Sequence, residues 1–375
     1  MVTRDKIGTP LYNTANPPPR LPAKGNAGLW YDKFCNQWKN GWQLEAGDKL
    51  KWIEEVSRVG DSSLLEEKWQ RTIRLFEALG GKICYFRTRG RFVTGLGRDN
   101  PVENGFAWHY NLGVPYLPGS SVKGLVKAWA DTMADNDEVD REVVERVFGS
   151  DQKEKGVGSV IFFPALPQGQ VTLEADVMTP HYGPYYKGEN ELPADWHSPV
   201  PIPFLTVAGE QVFGFPLAPR RPAAQGDLER AAQWLEEALD WLGAGAKTAV
   251  GYGRFRRDRA LEERVIKEQR ERIAAAKRER ELAAMSPLGR EMEEDGFSTD
   301  PDRFMEAMST KWLPRLDDEG LAPEERREIA TLLARWHQEN RPGQWKKPKG
   351  EKAKRRVGII KKFLGENKSW YDCRG

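Results

Sequence analysis

Apolar residues recur along this chain at spacings that change from one segment to the next, and each change marks a new element. Over 47–59, Leu50, Ile53 and Val56 return every three residues; over 62–79, Leu65, Trp69, Ile73 and Phe76 share one face. Both stretches predict amphipathic helices. At Lys82 the period drops to two, with Ile83, Tyr85 and later Phe92 alternating with polar residues. That predicts a strand leading into a hairpin. Residues 94–114 are long, polar and glycine-rich, as functional or mobile connections are. A helix follows from Pro118 to about Met133, with Ser120 or Ser121 as its expected N-cap. Strands are predicted over 158–163, 171–177 and 210–217. A helix over 227–242 turns Ala231, Leu235, Ala238, Leu239 and Leu242 inward, and a short strand over 251–255 closes the series. The order strand, helix, strand, strand, helix, strand is that of an α+β, ferredoxin-like (RRM-like) domain with long insertions.

Beyond Phe255 the pattern changes. Residues 256–282 are almost wholly charged and read as one long solvated helix. Ser286 before Pro287 is a helix start, and helical patterns recur near 301–311, 323–338 and 351–364. The expected organisation is a domain over 1–256, a charged helical linker over 257–285 and a small α-helical module over 286–375. Residues 1–28 are proline- and glycine-rich and read as an extended arm.

Composition narrows the function. The 375 residues carry a net charge of +2, so any nucleic-acid surface is a local patch rather than a uniformly basic protein. Three scattered cysteines (Cys35, Cys84 and Cys373) predict a reducing, cytoplasmic setting without a disulfide framework. No apolar run is long enough for a membrane span, and the N-terminus does not resemble a signal peptide. The four histidines and three cysteines lack zinc-site spacing, so neither a metal nor another cofactor is expected.

The candidate chemistry lies in two glycine-rich stretches, Leu117-Pro-Gly-Ser-Ser-Val-Lys-Gly124 and Gly243-Ala-Gly-Ala-Lys-Thr-Ala-Val-Gly-Tyr-Gly253. Each surrounds a lysine with small residues, which lets backbone amides approach an anion. In the first, Gly119, Ser120 and Ser121 stand at a helix start, with Lys123 and Lys127 adding charge for a phosphodiester. In the second, Lys247, Tyr252 and Arg254 are candidates to reach a phosphate polymer by charge and stacking. A nucleotide P-loop is excluded, because the glycine positions its pattern needs hold Trp241 and Ala246. Arg98 and His109, in the 94–110 region, complete the candidate RNA-binding set.

These two stretches, extended through Arg254 and Phe255, resemble the motifs of the RAMP superfamily of CRISPR RNA-binding proteins. Asp176-Val-Met-Thr-Pro-His-Tyr182, Pro203-Phe-Leu-Thr-Val207 and residues 26–33 are similar to the family of sixth subunits of Cmr, the type III-B CRISPR effector. The resemblance spans roughly residues 24–256. It implies a non-catalytic subunit near the 3′ end of the guide. Its implied partners are crRNA, target RNA and the other Cmr subunits, including the backbone subunit. It also implies a projecting thumb hairpin near residues 94–110.

Two other functions fit the same residues. One is a ribonuclease of this fold, using His181 to process crRNA or Asp99 with His109 to cut target. The other is a protein scaffold in which the glycines serve only turns and close packing. Asp99-Asn-Pro is also ordinary turn chemistry, and the tyrosine-rich loop around His181 suits a protein interface. The basic stretch 346–362 reads equally as a solvated helix face or as an auxiliary nucleic-acid contact.

Overall fold

The computed structural model describes residues 20–39, 44–100, 103–150, 156–186, 188, 192–194 and 199–365. His197 and Cys373, both singled out in the sequence, lie outside the described residues, as does most of the N-terminal arm. The chain divides into two compact units, 1–265 and 266–375.

The described residues of the first unit form the strands β1 (Arg58–Val59), β2 (Lys82–Thr88), β3 (Val160–Phe162), β4 (Leu166–Pro167), β5 (Val171–Met178), β6 (Ile202–Val207), β7 (Val212–Pro219) and β8 (Phe255–Arg257). The main sheet runs β3-β7-β2-β8, antiparallel throughout, with β4 continuing the β3 edge of β7. The helix Gly119–Asp135 connects β2 toward β3, and the helix Gln225–Trp241 connects β7 toward β8. This is the split βαβ arrangement of a ferredoxin-like domain. The third strand of the expected order is β7. The strand expected over 171–177 is β5, and it lies in a second sheet, β1-β5-β6.

Alternation along β2 gives each face its own core. Cys84 and Phe86 point to the side where Phe213, Phe215 and Phe255 meet, with Phe86 edge-on to Phe215 at 5.3 Å. Leu228, Ala231, Leu235 and Leu239 from the helix Gln225–Trp241 belong to this core. Tyr85 points the other way, toward Trp69 of the helix Ser62–Leu79. Its register partner is Gly214, where a Cβ would lie 2.3 Å from the Trp69 ring. Trp69 also donates its indole N–H to the Pro167 carbonyl at 2.8 Å. The face an RRM leaves open for stacked bases is therefore covered here.

The 94–117 segment departs from the expected projecting hairpin. Among the described residues it folds back as a loop with single bridges, Trp108 to Pro115 and Leu117 to Ala165. The run Phe106-Ala107-Trp108 is buried, and three consecutive apolar residues cannot all face inward from an exposed two-stranded ribbon.

In the second unit, Ser286 caps its helix by accepting the Gly289 amide at 3.1 Å. Helices Pro287–Glu294, Pro301–Ala307, Pro323–Asn340 and Glu351–Leu364 enclose Met292, Phe304, Met308, Trp312, Leu333, Trp336 and Ile360, all fully buried. A π-turn at Met308–Trp312 precedes Pro314, which has no N–H to donate. Trp312 is buried there and donates its indole N–H to Asp295 at 2.8 Å.

Candidate nucleic-acid interface

The two glycine-rich stretches, more than a hundred residues apart in sequence, line one cleft of about 540 Å³. Its walls are the 94–98 loop, the start of the helix Gly119–Asp135 (Pro118, Ser121, Leu125) and Gly243–Ala246.

The helix start differs from the expected one. Its N-cap is Pro118, extended at φ −56° and ψ 145°, and no side chain caps the helix. Gly119, Ser120 and Ser121 therefore occupy the first helical turn, where the amides lack intrahelical acceptors. The reason lies at Gly119, where a Cβ would sit 2.5 Å from the Phe162 carbonyl oxygen. The chain enters the helix pressed against the end of β3, so the smallest residue takes the first helical position. Gly124, one turn on, has open space around its Cβ position.

The second wall is fastened backbone to backbone. Gly253 N–H donates to the Arg91 carbonyl, Ala246 N–H to Val93 and Ala244 N–H to Gly253, each at 2.8 Å. Gly245 has φ +85° and its Cβ would lie 1.9 Å from the Val93 oxygen; Gly253 has φ +70° and would meet the Ala244 oxygen at 1.9 Å. No side chain fits at either place. Between these anchors Lys247 is in the left-handed region at φ +58°, with its Nζ 5.3 Å from the Phe204 ring centroid.

The other candidates fall into two groups. Arg98 is exposed and lines the cleft; Ser120 is exposed and Lys123 half-buried in the first turns of the helix Gly119–Asp135. Lys127 pairs with Asp131 at 2.8 Å. Arg254 donates to the Asp240 carbonyl at 3.2 Å, at the end of the helix Gln225–Trp241. Tyr252 donates its hydroxyl to Asp176. His109 is half-buried, its Nδ1 accepts the Leu112 amide at 3.3 Å, and burial lowers its pKa. It organises the turn 109–113. His181 is exposed beside Tyr182, and Asp99 is exposed. Among the described residues no group of three His, Cys, Asp or Glu side chains is placed to hold a metal ion.

Sequence reasoning gave Arg91 no place, and took Asp176 only as the first residue of a family motif. Arg91 donates to Asp176 at 2.8 Å and to Glu174 at 3.1 Å, so β5 is tied to the glycine loop through Arg91 and Tyr252. Partial burial raises the Asp176 pKa, but the Tyr252 hydroxyl, the Val177 amide and Arg91 together hold it below its ordinary value. Asp32, near Arg98, goes the opposite way: burial pushes its pKa up to about 6 despite a 2.8 Å bond from Asn100.

The RAMP superfamily model matches residues 85–256. CRISPR system Cmr subunit Cmr6 of Pyrococcus furiosus is 32% identical over 238 residues, 48% of this chain and 67% of the relative. Cmr6 of Saccharolobus solfataricus is 27% identical over 156 residues, 41% of this chain and 48% of that protein. The crystal structure of Pyrococcus furiosus Cmr6 aligns with 29% identity over 48% of this chain and 97% of that chain, at a TM-score of 0.32. No helix among the described residues is long and apolar enough to cross a membrane. By the RAMP match and the extent of its identity with Cmr6, the chain belongs to the Cmr6 family of the RAMP superfamily.

Proposed function

We propose that this chain is a non-catalytic RNA-binding subunit of a type III-B CRISPR effector. It holds the crRNA–target strand near the 3′ end of the guide and packs on the neighbouring Cmr subunits. One observation carries the reading: both lysine-bearing glycine motifs converge on the same cleft. The helix start supplies unpaired amides and the positive end of its dipole. Lys123, Lys247 and Arg98 supply charge without base selectivity, which suits backbone recognition. Tyr252 and Arg254 act from behind, fixing the loop that presents Lys247.

The test is a filter-binding titration with single-stranded RNA across a range of salt. Lys123→Ala combined with Lys247→Ala is expected to weaken binding and to reduce the salt slope by about one for each lost phosphate contact. Unchanged affinity and slope would sink the reading. Specific cleavage of RNA by the purified protein, abolished by His181→Ala or Asp99→Ala, would favour the ribonuclease instead.

A further inference from the structure

The C-terminal unit has a cavity of its own, of about 410 Å³, whose wall includes the cations Arg341, Lys349, Lys352 and Arg356, with Met305, and one carboxylate, Glu351. It lies where the helix Pro323–Asn340 ends and the helix Glu351–Leu364 begins. Gly350 precedes the latter helix and no side chain caps it, so its first amides are open to an acceptor.

Charge separates this cavity from an ordinary solvated surface. Residues 341–364 hold ten lysines and arginines against one carboxylate, Glu351, in a chain whose total is only +2. Arg341 pairs with Asp302 at 2.9 Å, but that carboxylate is 91% exposed and the contact is weak. Lys349, Lys352 and Arg356 have no carboxylate partner among the described residues. Arg356 is half-buried with its guanidinium against the Met305 sulfur. Burial and then the charge of Arg341 push its pKa below the ordinary arginine value. His337, fully buried with neither ring nitrogen bonded, lies within electrostatic reach of both arginines. Its pKa is lowered to about 4, first by burial and then by those arginines, so near neutral pH it adds no charge. Like charges gathered without an anion cost free energy, and a bound anion relieves that cost.

We propose that this cavity binds a phosphate group of a nucleic-acid strand, at a site separate from the cleft of the first unit. Guanidinium groups suit a phosphate because they donate in a planar fork. The exposed Lys346, Lys347 and Lys354 extend the positive surface beyond the cavity, as a strand requires and a lone phosphate ion does not.

The test uses the full chain with fluorescein-labelled single-stranded RNA and, separately, duplex DNA of equal length, each titrated at several salt concentrations. Lys349→Glu with Lys352→Glu changes two exposed side chains and is expected to leave melting unaltered. It should weaken binding about tenfold and lower the salt slope by about two. Lys349→Gln with Lys352→Gln should give a smaller loss in the same direction. A loss confined to one probe identifies RNA or DNA as the source of the phosphate. These losses should add to those of Lys123→Ala with Lys247→Ala. If only the cleft variant has an effect, the tail site falls and the cleft reading stands; if only the tail variant has one, the reverse holds. Unchanged binding of both probes by the Glu and Gln variants overturns the proposal, even if inorganic phosphate binds.

Discussion

Both units bury aromatic bulk, but the first adds close contact between backbones. In the first, backbone meets backbone: Gly119 against Phe162, Gly245 against Val93 and Gly253 against Ala244, all closer than any side chain permits. In the second, no described glycine comes so close to a neighbour, and bulk alone fills the space, with Trp312, Trp336, Phe304 and Met308 fully buried between helices. Backbone contacts fix where a surface lies to within a few tenths of an ångström, whereas side-chain packing tolerates rearrangement. The first unit is thus suited to present a shaped cleft, and the second to carry charge on helix surfaces.

The largest expected effect tests the second unit. Trp312→Ala removes a fully buried indole and its bond to Asp295, and should destabilise that unit by about 3–5 kcal/mol. Calorimetry should show the loss in one transition, with the transition of the first unit in place. If both fall together, the contrast between independent units fails. Gly245→Ala is the converse. Its Cβ has no room and its φ is positive, so the first unit should lose about 3 kcal/mol while the second is untouched. A variant as stable as the parent would mean that the loop is not anchored as described.

Asp176→Asn should have the smallest effect, about 1 kcal/mol at neutral pH, through the ties to Arg91 and Tyr252. The folded pKa of Asp176 lies below its unfolded value, so its contribution is complete above the unfolded carboxylate range near ~4. It is lost as pH falls through the folded value. Acid titration of stability should therefore be shallower in Asp176→Asn than in the parent. Equal slopes would remove Asp176 from the network that holds the cleft.

Much of this was legible in the chain where local signals agree. The helix 62–79 was readable from its apolar repeat, and Leu65, Trp69 and Phe76 do form one buried face, between a cap at Asp61 and an end at Gly80, φ +64°. The ferredoxin-like order and the two glycine motifs were legible for the same reason. The strand Ile202–Val207 was not, since Ile-Pro-Phe-Leu-Thr-Val is an apolar run interrupted only by Thr206, without a period of two. The helix Arg141–Phe148 also escaped, being only two turns long. At the site, the N-cap misreading came from a tertiary contact: Ser120 and Ser121 suit a cap locally, but Phe162 decides where the helix starts. Arg91 and Tyr252 meet Asp176 across 85 and 76 residues, and no local pattern announces that.

The interlock of Gly245 and Gly253 also bears on how such a sequence can diverge. Both glycines are locked against fixed backbone, so the span between them acts as a ruler whose length is set by the distance between its pegs. Insertions or deletions there would pull one peg from its hole. The residues in between differ in latitude: Ala249 and Val250 are exposed, whereas Gly251, at φ +97°, strains any side chain although the space around it is open. Random mutagenesis of 246–252 should therefore return many tolerated substitutions and almost no changes of length. Spacing, more than residue identity, is what this loop must transmit to its descendants.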